Sequence, residues 1–351
     1  MKRKIVILTE GLTNPHHGKT ARNLIYYKPE EVAAVFDRTQ AGKSSSDLLG
    51  VGNIPVVGSF DGLGNINTLL IGVATPGGKI PANYKEIILE AIEKRLNIIN
   101  GLHDFLSDDK DIKQKAEQYN VLLTDIRKNG EHDVVNRKDI NENCLRIHTV
   151  GNDCSLGKMI VSLELNKALV KKGYDAKFVA TGQTGILIEG DGIPMDAVVG
   201  DFINGSAEKL VLMNQHHEII NIEGQGSLVH PRYSSVTLGL LHGCIPHGLI
   251  MCYEMGREFI HGMNGIKIPP LKEVIRLYET MANLMHPCNV IGIAINSRRF
   301  TEAEAKQERE RIKDTFGLPA CDVIRDGADE LAEAVIKMKQ ELDLNISASV
   351  K

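Results

Sequence analysis

The chain has no tryptophan, and aromatic residues make up only 5% of its 351 positions. A platform for stacking single-stranded nucleic acid needs repeated aromatic faces, so a nucleic-acid partner of that kind is excluded. An excess of charge of one sign is also missing. Lys and Arg total 41 against 45 Asp and Glu, a formal net charge of -4. Such a balance offers no basic field to a nucleic-acid backbone or an anionic membrane. No stretch approaches the roughly 18 consecutive apolar residues of a membrane span. The basic start Met1–Lys4 is followed only by Ile5–Leu8, too short for a signal-peptide core. The six cysteines (Cys144, Cys154, Cys244, Cys252, Cys288 and Cys321) form no CxxC pair and no disulfide-like framework. A reducing cytoplasm is the expected setting.

What is present is a globular composition, 42% hydrophobic and 25% charged. The length exceeds one ordinary core and predicts two domains. Short apolar runs alternate with longer amphipathic stretches, which predicts an α/β fold on mostly parallel sheets. Expected strands are Lys4–Leu8, Val32–Phe36, Asn67–Val73, Cys144–Val150, Ala176–Ala180, Glu218–Ile222, Leu249–Tyr253 and Val290–Ile295. Helices are expected at Tyr84–Leu96, Ser155–Lys172 and Thr301–Thr315, with fraying from about Asp343 onward. Residues 127–143 are polar and aperiodic and read as a linker, giving domains 1–135 and 136–351.

The most specific motif is Gly151-Asn152-Asp153-Cys154-Ser155-Leu156-Gly157-Lys158, between a strand and a helix. Glycines let successive N–H groups curl inward, the helix N-terminus adds partial positive charge, and Lys158 adds a full one. That arrangement binds a di- or triphosphate. The loop has five residues between its glycines, and Met159 stands where Ser or Thr ordinarily ligates Mg²⁺. A thioether is a poor ligand for a hard cation, so the expected ligand is one whose pyrophosphate serves as a handle. Coenzyme A fits that description. Gly18-Lys19-Thr20 and Gly42-Lys43-Ser44 share only the tail of the motif and are rejected.

Other candidates lie in the same half. Ala180-Thr181-Gly182-Gln183-Thr184-Gly185 follows a strand, where open α/β sheets bind ligands, and Gln183 and Thr184 are candidate substrate-binding residues. Glu223 closes the strand before Gly224-Gln225-Gly226, and His230 follows; both are candidate proton carriers. Arg257 is a candidate for a substrate carboxylate, with Glu254 as its other possible partner. Asn296 ends a strand where its amide could read an adenine edge. In the first half, Thr75–Gly78 and His103-Asp104 are candidates either for a substrate pocket at the domain interface or for interdomain packing. His242–His247 lacks a second ligand pair, and no metal is expected.

Gly151–Met159, Ala180–Ile188, Ile222–Leu228 and Val236–Gly243 together resemble the bacterial D-glutamate N-acetyltransferase family, a resemblance extending to Gly72–Gly78 and Gly101–Asp108. Lys158-Met159 in place of Lys-Ser/Thr is a trait of that family, whereas Tyr253 stands where it has His. More distantly, Gly151–Lys158 and Glu223–Gly226 are similar to motifs of dethiobiotin synthetase. The resemblance implies a Rossmann-like N-terminal domain, a P-loop NTPase-like C-terminal domain, and acetyl transfer from acetyl-CoA as cosubstrate to the amine of D-glutamate or a related amino acid. A symmetric homo-oligomer is the expected assembly. Pyrophosphate on Gly151–Lys158 would place the thioester near Gly182–Gly185 and Glu223–His230, with Glu223 or His230 as base. Cys154 is an alternative acetyl carrier. Two other readings stand beside this one: an ATP- and Mg-dependent ligase or kinase, and a non-catalytic nucleotide- or CoA-binding module.

Overall fold

The computed structural model describes residues 3–349. Two compact units emerge. One holds the residues up to Asn129 together with Ile186–Gly190; the other holds Gly130–Gly185 and the chain from Asp191 onward.

The first unit is built on β1 (Ile5–Leu8), β2 (Val32–Phe36), β3 (Val56–Val57), β4 (Thr68–Ile71), β5 (Asn97–Asn100) and β6 (Leu123–Asp125). They form one all-parallel sheet in the order β3-β2-β1-β4-β5-β6. Its helices are α1 (Lys19–Tyr27), α2 (Ser45–Leu49), α3 (Tyr84–Glu93) and α4 (Lys110–Tyr119). Every residue of β1 and β4 is buried, as continuous apolar runs demand when helices cover both faces of a sheet. The two rejected Gly-Lys-Ser/Thr tails open α1 and α2, and Ser44 caps α2 in a reciprocal pair with Asp47.

The second unit carries β7 (Leu145–Gly151), β8 (Ala176–Val179), β9 (Ile219–Ile222), β10 (Gly248–Glu254), β11 (Asn289–Asn296) and β12 (Ala320–Cys321), again all parallel, in the order β12-β11-β10-β7-β9-β8. The helices are α5 (Lys158–Lys171), the start of α6 (Gln183–Glu189, which from Ile186 on counts with the first unit), α7 (Ile203–Asn214), α8 (Ser234–Cys244), α9 (Leu271–Asn283), α10 (Glu302–Phe316) and α11 (Asp329–Ser349). Chain order reverses on either side of β7, so a crevice opens beyond its carboxyl end.

Three expectations shift. The units part after Asn129 rather than after residue 135, because the polar segment that follows is tied to the second unit. Glu208 accepts the backbone N–H groups of Asn136 and Arg137 and pairs with the Arg137 guanidinium, while Lys209 pairs with Glu131 and Asp133. The chain does not fray at Asp343: α11 continues to Ser349, and Lys339 pairs with Asp343 one turn on. The Gly-rich stretch after β8 runs directly into α6. Among the described residues, no helix is long and apolar enough to cross a membrane.

Candidate active site

β7 delivers the phosphate-type loop to the crevice, and α5 begins on its far side at Lys158. The turn needs its glycines. Gly157 has φ +106°, and a Cβ on Gly151 would lie 2.7 Å from Leu156 Cδ1 and 3.0 Å from the Cys252 carbonyl. Four loop carbonyls are each taken by a side chain from a different part of the unit. Tyr278 Oη donates to Gly151 O at 2.9 Å, Lys158 Nζ to Asp153 O at 2.8 Å, Arg257 Nη1 to Cys154 O at 2.8 Å, and Asn296 Nδ2 to Leu156 O at 2.8 Å. In a trans peptide the N–H points opposite to the C=O. Turning the Cys154 and Leu156 carbonyls outward therefore turns the N–H groups of Ser155 and Gly157 the other way. Lys158 is buried, and that burial lowers the pKa of its ammonium. Asn152 Oδ1 is a buried acceptor with no hydrogen-bond partner. Met159 is half-buried at the second position of α5.

Asp153 is fully buried, and its carboxylate is spent on the protein. Oδ2 accepts Arg257 Nη1 at 2.9 Å and the His261 N–H at 2.8 Å; Oδ1 accepts the Cys154 N–H at 2.7 Å. Arg257 also pairs with Glu254, so the residue expected to hold a substrate carboxylate is held between two buried carboxylates of its own chain. His230 stands beside this cluster, fully buried, with Nε2 3.8 Å from Asp153 Oδ1 and 3.3 Å from the His261 carbonyl. Its Nδ1 accepts the Arg232 N–H at 3.1 Å. Both ring nitrogens of His230 are thus turned toward backbone groups of its own chain. The donor atoms of Asp153, Cys154 and His230 gather within 4.8 Å, with Asp153 Oδ1 and His230 Nδ1 each accepting a backbone N–H. Burial, and then the Asp153 carboxylate, push the Cys154 thiol up, which disfavours its thiolate.

Glu223 lies on the other side of the loop, at the end of β9, and is 4% exposed. The N–H groups of Thr181 and Gly182 converge on its Oε2 at 2.8 and 3.0 Å. Gly182 and Gly185 make room for it: a Cβ on Gly185 would lie 2.4 Å from Oε2, and one on Gly182 3.2 Å from Oε1. Burial lifts the Glu223 carboxyl from 4.5 to about 7, against the pull of those two N–H groups. Gln183 and Thr184, half-buried, form the first turn of α6 beside it. Gly224 passes under the loop, where a Cβ would meet the Thr149 carbonyl at 1.8 Å and Lys158 Cδ at 3.0 Å. The structure thus gathers Glu223, Gln183 and Thr184 on the β9 side of the loop, and His230 and Arg257 around Asp153.

Sequence reasoning missed Tyr278 and Thr149. Tyr278 Oη also accepts the Leu228 N–H at 3.1 Å, linking the loop to the turn after β9; its only sequence signal is a place on the apolar face of α9. Thr149 Oγ1 binds Ser162 Oγ at 2.9 Å and the Gly224 N–H at 3.0 Å. Tyr253 lies in the core, donating to Glu308 at 2.7 Å. Asn296, read as an adenine contact, holds Leu156 instead. In the first unit, Gly78 O accepts the N–H groups of His103 and Asp104, bringing those two candidate loops together. His242 Nε2 bonds Met281 O. His247 groups with Glu142 and His286: its Nδ1 accepts the Arg146 N–H, Arg146 holds the Glu142 carboxylate, and its buried Nε2 has no hydrogen-bond partner.

Comparison with known proteins agrees with this division. Residues 38–129 match a domain of unknown function described as a Rossmann-like domain (DUF1611_N), and residues 126–332 match its P-loop partner (DUF1611_C). The chain is similar to two proteins named D-glutamate N-acetyltransferase. The one from Pseudoalteromonas is 38% identical over 265 residues, 75% of this chain and 80% of its own length. That from Tritonibacter scottomollicae is 39% identical over 273 residues, 76% and 80% respectively. A solved DUF1611-family structure from Anabaena variabilis superposes with a TM-score of 0.90 at 37% identity, covering 95% of this chain and 99% of that one.

Proposed function

The chain belongs to the DUF1611 family, a Rossmann-like domain followed by a P-loop domain, and from that premise we propose that it transfers the acetyl group of acetyl-CoA to the amino group of D-glutamate or a closely related amino acid. One juxtaposition carries the reading: a diphosphate-type loop without a hydroxyl for Mg²⁺, beside a buried glutamate whose carboxyl is lifted to about 7. The first favours a ligand anchored through its pyrophosphate and not cleaved there. The second supplies a base matched to an ammonium that must shed its proton near neutral pH.

In this mechanism Lys158 and the loop N–H groups hold the pyrophosphate. Ionised Glu223 accepts a proton from the substrate amine. The amine nitrogen then attacks the thioester carbon, its second N–H proton passes to the departing sulfur as the C–S bond breaks from the tetrahedral intermediate, and coenzyme A leaves as the thiol. Glu223 returns the first proton to water. Backbone N–H groups within Gly182–Gly185 or Gly224–Gly226 would meet the oxyanion, those of Gly182 and Gly224 being already engaged with Glu223 and Thr149. Gln183 and Thr184 flank the amino acid, and His230 stands beside the Asp153 cluster. Direct transfer also fits a Cys154 thiol that burial keeps protonated.

Calorimetric titration of the full chain with acetyl-CoA and with Mg-ATP, together with mass spectrometry of amino acids incubated with acetyl-CoA, tests the proposal. Acetyl-CoA should bind more tightly, D-glutamate should gain an acetyl group, and Lys158→Ala should weaken CoA binding by at least about tenfold. Tighter Mg-ATP binding with no acetylated product would overturn it in favour of a ligase or kinase.

A further inference from the structure

β10 and β11 end side by side, with Glu254 opposite Asn296, and both ends abut the phosphate loop. The Glu254 carboxylate is 1% exposed and serves three arginines. Arg257 pairs with Oε2, Arg298 reaches Oε1 through Nη2 at 3.0 Å and Nε at 3.2 Å, and Arg299 Nε lies 3.3 Å from Oε1. Asp153 offsets one of these cations, so two buried carboxylates face three guanidiniums, and Lys158 adds another positive charge. Positive charge is in excess on this side of β7. On the β9 side the charged groups acting on Glu223 are Asp196 and Lys158, so the fixed guanidiniums are what distinguish the β10–β11 side.

The turn carrying Arg298 and Arg299 is fixed. The Ser297 N–H and Oγ donate to Asp322 Oδ2 at 3.0 and 2.5 Å, and Arg325 Nη2 donates to the carbonyls of Ser297 and Phe300 at 3.3 and 2.6 Å. Phe300 packs over Gly256, where a Cβ would lie 2.6 Å from its ring. From this rigid turn the two side chains project outward, 51% and 69% exposed. A guanidinium carries five N–H donors in a fixed fork suited to phosphate oxygens, and the bonds to Glu254 use only part of them.

We propose that Arg298 and Arg299 form a second anion subsite that takes the 3′-phosphomonoester on the ribose of the cosubstrate. This rests on acetyl-CoA as the acetyl donor and adds the direction in which it lies. The nucleotide end sits over β10 and β11 on the arginine side. The doubly charged phosphomonoester is repelled from the β9 side, which leaves the thioester end beside Glu223.

The test compares coenzyme A with 3′-dephospho-coenzyme A by calorimetry on the full chain and on the Arg298→Ala/Arg299→Ala double variant. Wild type should prefer coenzyme A by at least about tenfold, and the double variant should lower that ratio to within about twofold of unity. Arg298→Lys/Arg299→Lys, which keeps the charge without the fork, should retain part of the preference. Should the alanine variant melt early, adenosine 3′,5′-bisphosphate against AMP on wild type decides the point, with the bisphosphate expected to bind tighter. Equal wild-type affinities within each pair, or an undiminished preference in a folded double variant, overturn the subsite. Acetyl transfer that runs equally well from acetyl-CoA and its 3′-dephospho form removes the subsite alone. Failure of wild type to bind coenzyme A at all removes the acetyl-CoA reading and the subsite with it.

Discussion

Replacing Glu223 by Gln is the most informative perturbation of the site. Gln keeps an oxygen to accept the Thr181 and Gly182 N–H groups and removes the ionisation. The folded protein holds this carboxyl near 7, whereas an unfolded glutamate titrates near 4.5. Folded protein therefore binds the proton more tightly. The contribution of Glu223 to stability is full below about 4.5 and is lost as pH rises through about 7. At about 1.4 kcal/mol per pH unit, ionising this buried carboxyl costs roughly 3 kcal/mol by pH 8. Urea unfolding from pH 4.5 to 8 should show wild type losing stability across that window. Glu223→Gln should run flatter and stand above wild type at pH 8. Acetyl transfer should fall by about 10²–10⁴-fold in the variant, and the rising limb near pH 7 should vanish from kcat/KM. Parallel stability profiles, or a variant that keeps its rate, would refute both the strain at this carboxyl and its assignment as base.

Gly185→Ala puts a Cβ 2.4 Å from Glu223 Oε2 and displaces the carboxylate; kcat should drop by at least about tenfold, with a much smaller change in the Kd for coenzyme A. Tyr278→Phe strips the buried Gly151 carbonyl and Leu228 N–H of their shared partner; denaturant titration should read a loss of about 1–3 kcal/mol, accompanied by weaker coenzyme A binding.

The strands that were legible carry short apolar runs bounded by polar turns, as β1 and the Leu249–Cys252 run of β10 illustrate. The two-residue strands β3 and β12 carry no period to detect. The loop was legible because it joins glycine spacing, a lysine and a strand–helix context in one local segment. Its surroundings were not. Arg257 looked available because its partner Asp153 lies far away in sequence, and only the fold brings them to 2.9 Å. His230 read as a base because its type suits the task, and only the fold shows its Nδ1 taken by the Arg232 N–H and its Nε2 facing the His261 carbonyl. Burial of Glu223, which raises its carboxyl, depends on glycines of another segment and could not be counted from position alone.

The four tethered carbonyls have a consequence for how ligands are chosen. Donors from α5, from α9, from the end of β11 and from the segment after β10 draw the peptide groups outward before anything arrives. The receptacle is shaped in advance, so a guest meets little entropic toll for ordering the chain. On the proposed reading, such a cradle would greet every polyphosphate alike. Discrimination among nucleotides must come from its rim, and drift at the rim can exchange one guest for another without disturbing the cradle itself.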